Sequence, residues 1–143
     1  MSVGTIAASD TESNWASSVI GSPGGEVVTV EPARFESAIH HLQHGDPRER
    51  FEACETFVDW IRALSPDQGA VAGRALAEAA VGESDAWARE AQFNALVQLW
   101  TADLIGRVDL DALARIPRST LTAENAEHLS YLEEDFGALV SDS

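Results

Sequence analysis

The sequence predicts an all-α protein, either a short α-solenoid or a compact bundle of five to six helices, with a poorly ordered N-terminal arm. From residue 32 onward, apolar residues recur at helical spacing. Proline, serine and aspartate stand at positions that start helices, and glycines stand where helices end. A pattern of aspartate, arginine and apolar residues also occurs twice, which favours stacked helical pairs.

The character of the chain changes at about residue 31. Residues 1–31 are rich in serine, threonine, glycine and alanine, and they include the turn signal Ser22-Pro23-Gly24-Gly25. The stretch Val27-Val28-Thr29-Val30 has the composition of extended structure. We therefore expect a flexible N-terminal arm over residues 1–31, or a short strand packed on the domain, followed by an α-helical domain over residues 32–140.

The first two helices have well-marked starts. Residues 32–44 are predicted as a helix with Pro32 at its first position and Gly45 as its stop. Residues 46–64 follow, with Asp46 as N-cap and Glu49 three residues later in a capping box. The apolar residues expected to face the core are Phe35, Ile39 and Leu42 in the first helix and Phe51, Cys54, Val58 and Ile61 in the second.

The third helix, over about residues 66–81, is marked by a capping box of Ser65 and Gln68. Gly69 and Gly73 lie four residues apart, which suits the close approach of a neighbouring helix. The fourth helix is expected over about residues 85–105. It is apolar on most of its circumference, as central helices are.

The rest of the chain supplies two further helices. A short helix is predicted from Asp109 to about residue 116, and a last helix begins near Thr122. Leu129, Leu132 and Phe136 are among the residues of the last helix expected to face inward. The tryptophans predicted to be core residues are Trp60, Trp87 and Trp100.

The internal repeat aligns Asp46 with Asp85 and Arg50 with Arg89, an offset of 39 residues (85 − 46). In this alignment the apolar residues Cys54, Phe57 and Val58 coincide with Phe93, Leu96 and Val97. The pattern resembles HEAT and armadillo repeats, whose period is about 40–47 residues. The resemblance covers about half of the chain. It implies that the aspartate and arginine tie neighbouring units, and that the second unit has a shortened partner helix.

The charge of the chain is strongly negative. Twenty-four carboxylates against nine arginines give a formal charge of −15. Such a field repels nucleic acid and anionic membrane surfaces and attracts basic proteins, although it can also serve solubility alone. There is no apolar run of the roughly 18 residues that a membrane span needs. Because no basic residue precedes Arg34, the charged start of a secretory signal is missing, and we expect a cytoplasmic protein.

The motifs of several enzyme classes are absent. The chain contains no lysine, which excludes a Walker A lysine, a Schiff base and pyridoxal phosphate attachment. We expect a protein that is not an enzyme, with no catalytic residues and no cofactor. A catalytic site of carboxylates or histidines assembled across helices is the remaining alternative.

The histidines and the cysteine are the other residues that could carry chemistry. His40 and His44 lie four apart on the first helix, close to Glu36, and could face one metal ion. Because there is no further pair of ligands in the pattern, we interpret them as exposed and predict no metal site. Cys54 falls on an apolar stripe, which favours an inert core residue over a nucleophile.

These observations predict a protein-binding module with a basic protein partner. The chain is similar in type to the small acidic immunity proteins encoded beside bacterial polymorphic toxins, some of which have HEAT-like folds. That resemblance implies neutralisation of a basic toxin domain; the alternative is a regulatory or scaffold subunit, which could mimic nucleic acid charge. The residues expected to bind the partner are Glu78, Glu127, Tyr131, Glu134 and Asp135.

Overall fold

The computed structural model describes residues 29–142 and confirms the all-α prediction. Its α-helices are α1 (Pro32–His44), α2 (Pro47–Asp59), α3 (Pro66–Gly82), α4 (Ala86–Thr101) and α5 (Ala123–Phe136), and its 3₁₀ segments are Arg107–Arg115 and Arg118–Thr120. Instead of strands, the described residues contain one isolated bridge, between Pro117 and Ser141. The predictions for residues 1–28, including most of the arm, lie outside the described residues.

The helix starts lie where the capping residues predicted them. The side chain of Asp46 accepts a hydrogen bond from the Glu49 backbone at 2.8 Å, and Glu49 Oε1 accepts one from the Asp46 backbone at 2.9 Å. Ser65 and Gln68 make the same reciprocal pair at 3.0 Å in both directions. Each capping box satisfies amide groups that the first turn leaves unpaired, and it fixes the start of α2 or α3.

α1 ends at His44, directly before Gly45 as predicted, but the ends of α2 and α4 differ from the predictions. α2 ends at Asp59 and is followed by a turn, where a helix to residue 64 was expected. α4 ends at Thr101 and not near residue 105, because Asp103 adopts a left-handed backbone conformation (φ 63°) that no α-helix continues. The predicted short helix at 109–116 is the 3₁₀ segment Arg107–Arg115, which begins two residues earlier.

The helices form two layers. In the first layer α2, α4 and α5 lie side by side, and in the second layer α1 and the long 3₁₀ segment flank α3. The layers meet through the contacts of α1 with α2 and of α3 with α4. Stacked helical pairs have this arrangement. Membership of the HEAT class stays a prediction.

The core between the layers is continuous and aromatic at its centre. Phe57, Trp60 and Phe93 are at most 1% exposed. Val30 is also buried, and its carbonyl accepts a hydrogen bond from Gln68 Nε2 at 3.0 Å, so the core extends just beyond the start of α1. Phe51, Val58 and Ile61, predicted to be core residues, are half-buried and pack at its edge.

The glycines of α3 allow the predicted close approach. A Cβ atom placed on Gly73 would lie 2.5 Å from Ile105 Cγ2, and one on Gly69 would lie 2.8 Å from Leu104 Cβ. The neighbour is the non-helical segment that follows α4, where the sequence had suggested a helix. Because glycine has no side chain at these two positions, that segment can lie directly against the backbone of α3.

The residues after α5 return to the 3₁₀ region. The Ser141 backbone N–H donates to the Ile116 carbonyl at 2.9 Å, and the Arg118 backbone N–H donates to the Ser141 carbonyl at 2.8 Å. The Arg107 guanidinium donates to the carbonyls of Phe136 and Ala138. These bonds tie residues 136–141 to the end of the second layer. Among the described helices, none combines the length and apolar character needed to cross a membrane.

Candidate functional site

A buried carboxylate lies at the junction of the two repeated segments. Glu83 follows α3 directly, and its side chain is only 1% exposed. Arg50 of α2 approaches it with two hydrogen bonds, from Nε to Oε1 at 2.7 Å and from Nη2 to Oε2 at 2.8 Å. Such a two-pronged pair matches the planar guanidinium to the planar carboxylate, so it fixes orientation as well as charge.

Further donors complete the shell around Glu83. Gln92 Nε2 of α4 donates to Oε1 at 2.8 Å, and the Asp85 backbone N–H donates to Oε2 at 3.0 Å. Arg50 Nη1 also donates to the Gly45 carbonyl at 2.7 Å. One carboxylate therefore joins α2, α4 and the loop between α3 and α4.

This arrangement corrects the role implied for the repeated aspartate and arginine. Asp46 and Asp85 each cap their own helix, and neither reaches the other repeat. Arg50 reaches across to Glu83, whereas Arg89 donates to the Ala80 carbonyl at 3.1 Å. The tie between the units passes through Glu83, which lies outside the repeated pattern.

The shell around Glu83 also determines its ionisation. Burial by itself raises the pKa of Glu83, but the hydrogen bonds from Arg50, the Asp85 N–H and Gln92 outweigh it and leave the pKa below its usual value. The pKa of Glu133 is lowered in the same way, because Arg118 and the Leu139 N–H donate to it. Both carboxylates are therefore held in the charged form.

We expect the stability of the protein to fall in acid through these two groups. A carboxylate with a lowered pKa in the folded state contributes stability above its unfolded pKa of about 4.3, and it loses that contribution as the pH falls through the folded value. Urea unfolding from pH 6 to pH 2.5 should show a smaller loss of unfolding free energy for Glu83→Gln than for the wild type. Glu83→Gln/Glu133→Gln should show a smaller loss still. Equal pH slopes in wild type and Glu83→Gln would contradict this assignment.

An open cleft of about 470 Å³ lies beside the Arg50–Glu83 pair. Its walls come from the end of α1, the C-terminal half of α3 and the loop after it. Its charged groups are already paired, Arg50 with Glu83 and Glu78 with Arg115. The charged side chains that line the cleft are therefore all engaged in ion pairs within the described chain.

Three of the predicted partner-binding residues form one exposed ridge on α5. Glu127, Tyr131 and Glu134 follow helical spacing, and all three are exposed; Tyr131 is 45% exposed. Their side chains make no hydrogen bond or ion pair with another residue in the described range 29–142. α5 carries five carboxylates and no arginine. We call Glu124, Glu127, Tyr131 and Glu134 the acidic ridge.

The other two predicted residues have partners within the protein. Asp135 Oδ2 accepts a hydrogen bond from Trp100 Nε1 at 2.8 Å, which ties α5 to α4. Glu78 lies on α3 in the second layer and pairs with Arg115. Both remain exposed. Asp135 thus lies on the same helix as the acidic ridge but has an internal partner, whereas Glu78 lies on a helix whose main neighbours do not include α5.

The residues considered for metal binding or nucleophilic chemistry are Cys54, His40 and His44. Cys54 is 1% exposed and burial raises the pKa of its thiol, which confirms the prediction of a core residue. The rings of His40 and His44 lie 4.7 Å apart on α1. In the part of the chain that the structure describes, no three histidine, cysteine or acidic side chains are grouped as a metal site would require.

One predicted core residue is on the surface. Trp60 is buried and Trp100 is partly buried, but Trp87 is 76% exposed in the first turn of α4. The prediction for Trp87 is therefore wrong. Ala88, the next residue in the same turn, is fully buried, so Trp87 lies on the solvent side of a packed helix. The apolar composition of the helix did not indicate which side faces solvent.

Comparison of the chain with protein-family models, with curated proteins and with solved structures finds no match.

Proposed function

We propose that this chain is a protein-binding module that acts in the cytoplasm and binds a basic protein through the acidic ridge of α5. The observation that carries the proposal is the state of Glu127, Tyr131 and Glu134. They are exposed on one side of a helix, and their side chains make no hydrogen bond or ion pair with another described residue. Tyrosine is enriched at protein-binding surfaces, and the carboxylates around it provide charge complementarity for a basic partner.

The distribution of the arginines supports this proposal. All nine lie within the described residues, and seven of them form ion pairs with carboxylates of the same chain. Their charge is therefore largely neutralised locally, and the unpaired carboxylates dominate the field. Such a field steers a basic protein toward the ridge and sets a strong salt dependence on its association.

The most concrete form of the proposal is a bacterial immunity protein that neutralises a basic toxin domain by covering its functional surface. A regulatory or scaffold subunit for another cellular protein, using the same ridge as a mimic of nucleic acid charge, is the second candidate. Its support is the same acidic surface. A toxin gene beside the gene for this chain would favour the first candidate over the second.

The acidic ridge can be tested by removing charge without changing shape. We expect Glu127→Gln/Glu134→Gln to weaken binding to the native partner about tenfold, because two ion pairs at an interface rim are lost. The partner would be captured from the native organism with the tagged wild-type chain, identified, purified and titrated by calorimetry at low and moderate salt.

A matched control comes from α2. Glu55→Gln/Asp59→Asn removes the same number of charges from exposed positions on another helix of the first layer. It should change the affinity less than twofold. If both double variants weaken binding equally, net charge and not the acidic ridge determines association. If neither does, the partner binds elsewhere.

A further inference from the structure

The exposed Trp87 lies beside the acidic ridge. Trp87 and Glu90 are three residues apart on α4 and therefore adjacent on its surface. Glu90 Oε2 lies 3.7 Å from His128 Nε2 of α5, and His128 lies one turn from Glu124. The indole is thus connected to the ridge through side chains that contact one another or share a turn.

The register of the two helices places Trp87 level with Glu124. Glu90 contacts His128, and farther along both helices Trp100 contacts Asp135, so α4 and α5 run in the same direction. Trp87 precedes Glu90 by three residues, and Glu124 precedes His128 by four. One residue is about 1.5 Å along a helix, and packed helices lie about 8–10 Å apart. A single long side chain of a partner can therefore touch both positions.

We propose that Trp87 binds an arginine side chain of the protein partner, with Glu90 and Glu124 as its counter-charges. This inference rests on the proposed function and extends its surface from α5 to the first turn of α4. The face of an indole attracts a cation more strongly than the other aromatic rings do, and the planar guanidinium of arginine stacks on it. The carboxylate of Glu90, with 49% of its side chain exposed, is available to the same guanidinium.

The arginines of the chain itself do not cover this indole. Arg89, two residues away, donates to the Ala80 carbonyl, and Arg48, the repeat equivalent of Trp87, pairs with Glu52 on α2. Both guanidinium groups therefore bond away from the indole. Because Trp87 is 76% exposed, its ring is accessible to a cation from another molecule.

Charge selects among the possible occupants of this surface. Residues 1–28 contain Asp10, Glu12 and Glu26 and no basic residue, so they would bring like charge against Glu90 and Glu124. A second copy of the chain would bring a formal charge of −15. An arginine-bearing partner is the occupant that complements both the indole and the carboxylates.

The test uses nonapeptides of arginine and of lysine as probes for the full-length chain at 20 mM and 150 mM salt. The indole N–H signal of Trp87, assigned by its loss in Trp87→Phe, is followed by NMR during each titration. We expect the arginine peptide to shift this signal more than the lysine peptide does. Trp87→Ala should weaken arginine-peptide binding about fivefold, and Trp87→Phe should weaken it less.

Two controls separate this inference from the proposed function. Val108→Ala removes another exposed apolar side chain, 71% exposed on the long 3₁₀ segment, and should leave binding unchanged. If Glu127→Gln/Glu134→Gln weakens peptide binding while Trp87→Ala does not, the role of Trp87 is overturned and the acidic ridge stands. If only Trp87→Ala weakens it, the indole site stands and the ridge takes no part in arginine binding there. Equal binding of both peptides to wild type and Trp87→Ala would also overturn the arginine site.

Discussion

Glu83→Ala is expected to lower the free energy of unfolding by about 3–5 kcal/mol, because it removes one partner of a buried ion pair and leaves the other charge uncompensated. Arg50 would lose both of its bonds to the carboxylate, and Gln92 and the Asp85 N–H would lose their acceptor. Urea unfolding followed by circular dichroism at pH 7 measures the difference. The loss should be accompanied by little change in helix content below the transition.

The control for Glu83 is the exposed pair of Glu78 with Arg115. Both side chains of that pair are more than half exposed, and Glu78→Ala should cost at most about 1 kcal/mol. A cost for Glu83→Ala as small as that for Glu78→Ala would show that water replaces the lost carboxylate. Arg50→Ala, which leaves Glu83 buried without its cation, should be as harmful as Glu83→Ala.

Gly73→Ala is expected to destabilise the protein by about 1–3 kcal/mol, the usual cost of adding atoms to a packed interior. The new methyl group would lie 2.5 Å from Ile105 Cγ2, a methyl group on a buried branched side chain. Relief requires the segment after α4 to move away from α3. Thermal and urea unfolding of the variant would measure the net change in stability. This change is the cost of the steric contact minus the gain from the greater helix propensity of alanine.

Gly82→Ala makes the same change at the last residue of the same helix. A Cβ atom there would meet nothing within 4 Å, so the substitution should be neutral or should stabilise by up to about 1 kcal/mol. Opposite signs for the two variants would attribute the cost at Gly73 to its contact with Ile105. A stabilising Gly73→Ala would show that this contact relaxes easily.

The starts of the helices could be predicted because the signals that fix them are local. A capping box needs only residues three positions apart, so the pairs Asp46–Glu49 and Ser65–Gln68 could be predicted from the sequence. The ends of α2 and α4 lack such signals, whereas Gly45 marks the end of α1. α4 stops because Asp103 takes a left-handed conformation, and no glycine or proline stands there to announce it.

The most important polar residue escaped prediction because its environment is entirely non-local. Glu83 stands between a helix stop and an N-cap, and its neighbours in sequence resemble any polar loop. Its burial depends on Arg50, which is 33 residues away. The resemblance implied that the repeated aspartate and arginine tie neighbouring units, but the aspartates are used as helix caps.

The candidate surface could be predicted in part for the same physical reasons. The spacing of Glu127, Tyr131 and Glu134 places them on one side of a helix in any fold that contains α5. Whether a carboxylate has an internal partner is decided by packing, which is how Asp135 differs from them. Trp87 was assigned to the core because composition alone does not separate an apolar contact surface from an apolar interior.

Because the C-terminal end of α5 is fixed by hydrogen bonds, binding of the proposed partner should cost little conformational entropy. Glu133 holds both Arg118 and the Leu139 N–H, and Arg107 holds the carbonyls of Phe136 and Ala138. The helix is therefore preorganised, and a partner meets a rigid template and has little backbone entropy to remove. Docking should leave the backbone of α5 nearly unchanged, with the remaining entropic cost confined to side-chain rotamers.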